Sequence, residues 1–219
     1  SHKKAALAYD QGFMDDLVIP CAGVFRDNNL REEISLEKMA ELKPVFDRAN
    51  GTITAANSTP LTDGAATVLL ASEEWAPKLG IPVQAYHTIG RTAAVDYVAG
   101  EGLLMAPTVA VSDLLKESGM SLQDFDYYEI HEAFAAQVLA TLKAWDSEEY
   151  CRTRLGRDRA LGAIDRSKLN IKGSSIAFGH PFAATGARIL AVLGKLLHTQ
   201  GGQRGLISVC TAGGMGVAA

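Results

Sequence analysis

The pattern that decides the fold lies in residues 173–210, which read GSSIAFGHPFAATGARILAVLGKLLHTQGGQRGLISVC. Gly173 to Phe178 and Arg204 to Cys210 are short apolar runs that predict strands, and Thr185 to His198 between them predicts a helix. That helix would carry an apolar stripe formed by Ile189, Val192, Leu193 and Leu196. A strand, a helix and a strand in this order are typical of an α/β fold with helices layered on a central sheet.

The same alternation of elements extends in both directions from this segment. Residues 63–71 form a nearly unbroken apolar run, which fits either a strand buried on both faces or a buried helix. The remaining predicted elements are a helix at Ser72 to Leu79, a strand at Val83 to Val95, a helix at Pro107 to Gly119, a strand at Phe125 to Ile130, a helix at Glu132 to Trp145 and a last strand after the glycines of 213–216. The charged residues 146–170 predict an exposed insertion.

Residues 1–50 are the most polar part of the chain. Lys3 to Tyr9 predicts an amphipathic helix, Ser35 fits the N-cap of a second helix, and turn-forming residues close the segment at Asp47 to Gly51. We expect a loop-rich piece that needs a partner surface.

The composition excludes several classes of protein. The 219 residues carry 21 Lys and Arg against 25 Asp and Glu, a formal charge of −4, which argues against a large nucleic-acid interface. No apolar run reaches the roughly 20 residues of a membrane span, and no signal-peptide pattern follows Ser1. Cys21, Cys151 and Cys210 are far apart and form no Cys-x-x-Cys pair, which disfavours disulfides and structural zinc. We expect a cytoplasmic protein that binds no metal.

His180 stands at the sharpest corner of the sequence, Gly179-His180-Pro181. Pro181 favours an extended backbone at His180, which would hold the imidazole at the mouth of the corner, close to the N-terminus of the following helix. A helix N-terminus disfavours the protonated ring and would keep His180 available as a base. The alternative is a core histidine satisfied by a backbone carbonyl.

Cys210 closes a predicted strand and meets the glycine-rich loop at residues 213–216. Such a loop lets backbone N–H groups approach a ligand, as in an oxyanion hole, and a thiol beside it could act as a nucleophile or a proton shuttle. A small buried cysteine beside a tight turn is the alternative.

Two further segments are candidates for ligand contact. His131, in Glu129-Ile130-His131-Glu132, would end a strand and open a helix; a capping pair on the surface is the alternative, and HExxH metal spacing is absent because residue 135 is Ala. Asn57 to Gly64 is a polar turn that either ligand contact or turn chemistry alone explains.

These four segments, in this order, resemble the thiolase family. The matching stretches are Asn57 to Gly64, His131-Glu132-Ala133-Phe134, Gly179-His180-Pro181 with Thr185 to Arg188, and Cys210 with Gly213-Gly214. His131, where many thiolases have Asn, resembles the fatty-acid-oxidation branch. The resemblance implies a layered αβαβα fold of two similar halves, each with a mixed five-stranded sheet. This chain would carry the C-terminal half, with residues 1–50 as the tail of the loop domain and linker, and residues 51–219 as the C-terminal domain truncated at its last strand.

The resemblance also implies a reaction. A thiolase cleaves a 3-ketoacyl-CoA with CoA in fatty acid β-oxidation, or runs the reverse Claisen condensation, with CoA as substrate and no cofactor. His180 would deprotonate a nucleophilic cysteine, Cys210 would move a proton to or from the substrate α-carbon, and His131 would hold a water in the first oxyanion hole. The implied second oxyanion hole lies at the backbone of Ala212 and Gly213, and the implied CoA contacts are Ser58, Thr59 and Phe182.

The family's nucleophile, in an Asn-x-x-Cys-x-Ser-Gly setting, has no match in these residues, so we expect an inactive fragment of a larger acyltransferase. The implied partners are acyl-CoA, a second copy in a dimer or tetramer, and a hydratase/dehydrogenase subunit. Two alternatives stay open: a thiolase-fold condensing enzyme, against which Cys210 argues, and a non-catalytic acyl-CoA-binding or interaction module.

Overall fold

The centre of the computed structural model, which describes residues 1–219, is a four-stranded sheet. The strands are β1 (Arg91–Ala94), β2 (Tyr127–Ile130), β3 (Gly205–Thr211) and β4 (Met215–Ala218), in the spatial order β1-β4-β3-β2. β2 and β3 are parallel, whereas β3 with β4 and β4 with β1 are antiparallel. The sheet is mixed, as expected, but has four strands rather than five, since residues 63–71 and 173–178 form no strand. The strand predicted at Val83 to Val95 is shortened to β1.

Seven α-helices and three short 3₁₀ helices surround the sheet. The α-helices are α1 (His2–Asp10), α2 (Leu36–Ala40), α3 (Ala106–Ser118), α4 (Ala135–Asp146), α5 (Glu148–Arg154), α6 (Ser175–Phe178) and α7 (Thr185–Gln200). The 3₁₀ helices are Ala76–Leu79, Leu122–Asp124 and Arg166–Lys168. None of the helices combines the length and the apolar composition that crossing a membrane requires.

Helices cover both faces of the sheet. Tyr128 and Ile130 of β2 point into the main core with α3 and α4, whereas Tyr127 packs with Ile189 and Leu193 of α7. This is the alternation that a strand buried on both faces requires. It confirms the α/β layering predicted from residues 173–210.

The N-terminal segment packs on the α7 side of the molecule. α1 agrees with its predicted helix, and Ser35 caps α2 by accepting a hydrogen bond from the Lys38 N–H at 3.2 Å. A second core cluster joins this segment to α6 and α7 and consists of Ala5, Ala8, Phe13, Met14, Ala177, Phe178, Val192 and Leu196. The segment is loop-rich, as expected, and part of its partner surface lies within the chain.

Gly173 to Phe178 is a helix and not the predicted strand. Its only regular element is α6, where Ala177 and Phe178 donate to the Ser174 carbonyl. No strand pairs with the segment, and Ser175, Ala177 and Phe178 are buried in one turn. Periodicity does not separate so short an apolar run into strand or helix.

Residues 63–71 are neither the buried strand nor the buried helix that their composition predicts. They have no regular structure and are mostly exposed, with Leu69 65% and Leu70 72% accessible. An apolar strand needs a neighbour to pair with, and no strand of the described chain lies beside this one. The helix predicted after it shrinks to the 3₁₀ turn Ala76–Leu79, which ends at Gly80 as predicted.

Residues 146–170 are only partly the exposed insertion that their charge predicts. They form α5, whose Cys151 is fully buried, and they return to the core through Ile164 and Leu169. The helix predicted from Glu132 begins at Ala135, because the three residues before it are held by other contacts described below.

Candidate active site

His131 is fixed at the carboxyl end of β2. The parallel pairing of β2 with β3 lets its N–H donate to the Ser208 carbonyl at 2.8 Å. The side chain is 2% exposed, and Nδ1 lies 2.7 Å from Oγ of Ser175. His131 therefore ends a strand as predicted but does not open a helix, and the surface capping alternative is wrong.

His180 sits on a corner that the local sequence shapes. Gly179 has φ +86°, and a Cβ there would lie 2.4 Å from Cγ2 of Thr62, so only glycine fits. His180 is extended, as Pro181 predicts, because it bridges to Leu61 and donates its N–H to the Pro60 carbonyl at 3.0 Å.

The imidazole of His180 is tied to the start of α7. Its Nδ1 lies 2.7 Å from Oγ1 of Thr185, the first residue of that helix. The corner is thus beside a helix N-terminus, as predicted, although the element before it is α6 and not a strand. A side-chain hydroxyl, not the backbone carbonyl of the alternative, holds the ring.

The two imidazoles lie against each other, with ring centroids 4.1 Å apart and 38° between their planes. Burial, then the neighbouring His180, then Arg188 lower the pKa of His131 to about 3. Burial and then Arg188 also lower the pKa of His180. Both rings are therefore neutral near pH 7, and His131 acts there only as a neutral donor or acceptor.

Cys210 lies near the end of β3 on the α3 side of the sheet. It is 4% exposed and lines a narrow gap, without room for a water molecule, together with His131, Ser208 and Gln137. Burial raises the pKa of its thiol to about 11, so the sulfur carries its proton at neutral pH. Cys210 is thus a small buried residue beside a tight turn, as the alternative has it, and it also lies next to His131; its chemical role stays a prediction.

The turn after β3 presents backbone groups at the surface. Ala212 and Gly213 are exposed, and Gly213 and Gly214 have φ values of +86° and +75°. Ala212 does not adopt a positive φ, so its Cβ introduces no strain. The position proposed for an oxyanion hole is therefore compatible with alanine.

The segment from Asn57 to Thr62 ties two of the motifs together. On one side Thr59 donates its N–H to the Ala133 carbonyl at 3.0 Å and Asn57 accepts from the Ala135 N–H at 2.8 Å. On the other side the segment bridges to His180 at Leu61. These contacts hold the stretch between His131 and α4 out of the helix.

The three residues implied as CoA contacts occupy different environments. The Ser58 hydroxyl donates to the Thr54 carbonyl at 2.7 Å, and the Thr59 hydroxyl donates to the Ser175 carbonyl at 2.6 Å. Both hydroxyls therefore donate to backbone carbonyls of the protein itself. Phe182 is 73% exposed, and its ring centroid lies 5.1 Å from that of His180, where it can meet a ligand.

Sequence reasoning missed a set of buried polar residues behind the histidines. Arg188 donates from Nη2 to Oγ of Ser175 at 2.9 Å, and Glu132 accepts from Asn170 Nδ2 at 3.0 Å and from the Ile176 N–H at 3.1 Å. Glu129 is fully buried with no hydrogen-bond partner for either carboxylate oxygen, and burial raises its pKa to about 8. The sequence signal that could have identified them is the presence of ionisable residues inside a predicted buried strand and beside the apolar stripe of a helix.

Comparison with sequence families identifies matches along most of the chain. The profile for the thiolase C-terminal domain matches residues 83–219, and the profile for the thiolase N-terminal domain matches residues 1–74. A 3-ketoacyl-CoA thiolase of Shewanella loihica is 45% identical over 224 residues, which cover 100% of this chain and 51% of the relative. A 3-ketoacyl-CoA thiolase of Yersinia pestis is 44% identical with the same coverage. The chain spans about half the length of the curated relatives it matches.

Solved structures with the same fold give the same coverage. The human mitochondrial 3-ketoacyl-CoA thiolase in complex with CoA superposes with a TM-score of 0.81 at 30% identity, covering 99% of this chain and 50% of that one. The dimeric peroxisomal thiolase of Saccharomyces cerevisiae superposes with a TM-score of 0.82 at 33% identity, covering 100% of this chain and 51% of that one.

Proposed function

This chain belongs to the thiolase family and has the mixed α/β thiolase fold, and we propose that it supplies the histidine and proton-transfer groups of an acyltransferase site that cleaves a 3-ketoacyl-CoA with CoA. The observation that supports this most strongly is the convergence of three chemically active side chains from distant stretches. The rings of His131 and His180 lie 4.1 Å apart, and Cys210 lines the same narrow gap as His131. The reaction belongs to fatty acid β-oxidation and runs in reverse as a Claisen condensation.

His180 is the base in this proposal. Its neutral ring takes the proton from a nucleophilic cysteine that lies outside these 219 residues, and the thiolate attacks the 3-keto carbon of the substrate. The bond between C2 and C3 then breaks, leaving an acyl group on the nucleophile and a carbanion equivalent at C2 of the departing thioester. A base with a lowered pKa is unprotonated and ready at neutral pH, which favours His180 for this step.

Cys210 is the proton carrier. Its thiol is protonated at neutral pH, so it can deliver the proton that C2 needs, and its thiolate then takes the proton from the thiol of incoming CoA. The CoA sulfur attacks the acyl group and regenerates the nucleophile. Burial favours the protonated thiol, which is the form that donates the proton, and it disfavours a thiolate in the absence of substrate.

Two groups stabilise negative oxygen in this proposal. His131 stays neutral and holds, from Nε2, the water of the first oxyanion hole, and the backbone N–H of Ala212, with Gly213 beside it, contributes to the second. Removing one such donor typically costs about 10²–10³ in rate. Phe182, exposed beside His180, and the turn at Ser58 and Thr59 border the approach of CoA.

The relatives suggest the setting of the reaction. The human structure contains CoA and the yeast enzyme is dimeric, and we extend to this protein CoA as a substrate and self-association. From the resemblance to the fatty-acid-oxidation branch we also propose a dimer or tetramer and cooperation with a hydratase/dehydrogenase subunit. A cytoplasmic location fits the three free cysteines.

The test is the thiolysis of a 3-ketoacyl-CoA by the full-length gene product. The reaction is monitored through the loss of substrate absorbance, with and without CoA. We expect CoA-dependent cleavage that His180→Ala and Cys210→Ala abolish and that Ser112→Ala, a buried change on α3, leaves intact. Binding of acyl-CoA with no cleavage would contradict the proposal and would favour a non-catalytic acyl-CoA-binding module.

A further inference from the structure

We propose that Ser175, oriented by Arg188, fixes His131 in the tautomer that carries its proton on Nε2. His131 then always presents an N–H donor to the site. This inference rests on the proposed oxyanion role of His131, and it adds two positioning residues whose contacts cross long stretches of sequence.

The chemistry of the two neighbours of Ser175 sets the direction of each hydrogen bond. Arg188 has only donors, so the contact between its Nη2 and Oγ of Ser175 at 2.9 Å uses a lone pair of the serine oxygen. The serine hydroxyl keeps one hydrogen of its own to donate. Its remaining partner is Nδ1 of His131 at 2.7 Å.

Only one tautomer of His131 satisfies both partners. If Nδ1 is unprotonated, it accepts the serine hydrogen and the ring proton lies on Nε2. In the opposite tautomer, Nδ1–H and Arg188 would both point at Oγ, and the hydroxyl hydrogen would have no acceptor. Ser175 is fully buried, so water cannot take that hydrogen.

The ring cannot escape this choice by taking a second proton. Arg188 and His180 both lie close to His131, and a doubly protonated imidazole would meet the charge of Arg188 in a buried site. An arginine does not lose its proton in a protein, so the serine contact keeps its direction at every physiological pH.

Ser175 and His131 are each held in place by a further hydrogen bond. Ser175 is the first residue of α6, and its carbonyl accepts from the Thr59 hydroxyl at 2.6 Å. His131 is held from the other side by its backbone bond to Ser208. The hydroxyl and the imidazole therefore meet at a fixed separation, as positioning of a donor requires.

The experiment measures the tautomer directly and the rate separately. Long-range ¹H–¹⁵N NMR spectra of the ¹⁵N-histidine-labelled full-length gene product report which ring nitrogen carries the proton, and His131→Asn identifies the His131 signals. We expect protonated Nε2 and bare Nδ1 in the wild type. We expect Ser175→Ala to mix the tautomers and to slow the thiolysis of a 3-ketoacyl-CoA about 10–100-fold, with the loss in kcat and KM little changed.

Two further variants separate positioning from folding. Ser175→Thr keeps the hydroxyl and should restore the wild-type tautomer and most of the turnover rate. Ser112→Ala removes another buried serine hydroxyl that accepts from an arginine, Arg157 Nε at 2.9 Å, and should change neither readout. A wild-type His131 protonated on Nδ1, or a Ser175→Ala variant with an unchanged tautomer, would overturn the inference. A wild type that lacks thiolysis would overturn the proposed function instead, and the NMR result would still decide the tautomer.

Discussion

The ring of His131 lies 4.1 Å from the ring of His180, centroid to centroid, although the two residues are far apart in the sequence and follow different elements, β2 and α6. Burial is the main reason that the pKa of both rings is lowered; Arg188 lowers both further, and the neighbouring His180 also lowers that of His131. In our proposal the more buried His131 is the neutral donor and the less buried His180 is the base.

Replacing His131 tests the donor. His131→Ala removes the N–H that we assign to the first oxyanion hole, and we expect the turnover rate of thiolysis to fall about 10²–10³-fold. His131→Asn keeps a shorter side-chain N–H donor and should retain clearly more activity than the alanine variant. Steady-state kinetics of the full-length gene product measure both, and an alanine variant within a few-fold of the wild type would refute the role.

Replacing His180 tests the base. We expect His180→Ala to lower the turnover rate about 10²–10⁴-fold. In the wild type the base is active when neutral, and its pKa is lower than the ordinary value of 6.5, so the decline of activity on the acid side should lie below pH 6.5. A pH profile of kcat/KM measures this limb. A limb centred above pH 6.5 would mean that another group is the base.

The sequence predicted correctly those features of the fold that neighbouring residues determine. α3 ends at Gly119 with φ +68°, as predicted, where glycine is the residue that the backbone favours. α7 runs two residues past the predicted His198, to Gln200, before Gly201 with φ +76° ends it. The predictions for residues 63–71 and 173–178 were wrong, because an apolar run indicates that a segment is buried but does not identify the segment that it packs or pairs with. Strand pairing is a long-range property, and single-chain patterns contain little of it.

In the candidate site, too, the sequence revealed residues that stand in local motifs but not residues that act through long-range contacts. His131, His180 and Cys210 stand in motifs that could be quoted from the sequence. Ser175 could not be found in this way, because its importance lies in one contact with a residue 44 positions away. Arg188 was visible as a charge next to an apolar stripe, but its partner was not.

Glu129 makes the stability of the fold depend on pH. Its pKa is about 8 in the folded protein and 4.5 in a model peptide, so the folded state holds the extra proton between these values. The free energy of unfolding should therefore fall by about 1.4 kcal/mol per pH unit as the pH rises from 4.5 to 8. Glu129→Gln removes this slope and should gain stability relative to the wild type as the pH rises. Urea denaturation at several pH values measures the difference, and parallel curves would be inconsistent with a buried neutral carboxyl.

The exposed apolar run predicts self-association of the 219-residue chain expressed alone. Leu69 and Leu70 are 65% and 72% accessible within a stretch that has no pairing partner. Such stretches associate through their backbone and side chains. Light scattering should show a mass that grows with concentration, and Leu69→Ser with Leu70→Ser should reduce it. A monodisperse monomer at all concentrations would disprove this expectation.

The central claim is that His180 serves acylation whereas Cys210 serves proton transfer to carbon. Intact-mass spectrometry of the full-length gene product after incubation with an acyl-CoA separates the two roles. We expect Cys210→Ala to abolish thiolysis and still to gain the mass of one acyl group, and His180→Ala to gain none. A Cys210→Ala variant that forms no acyl adduct, under conditions where the wild type does, would contradict the account.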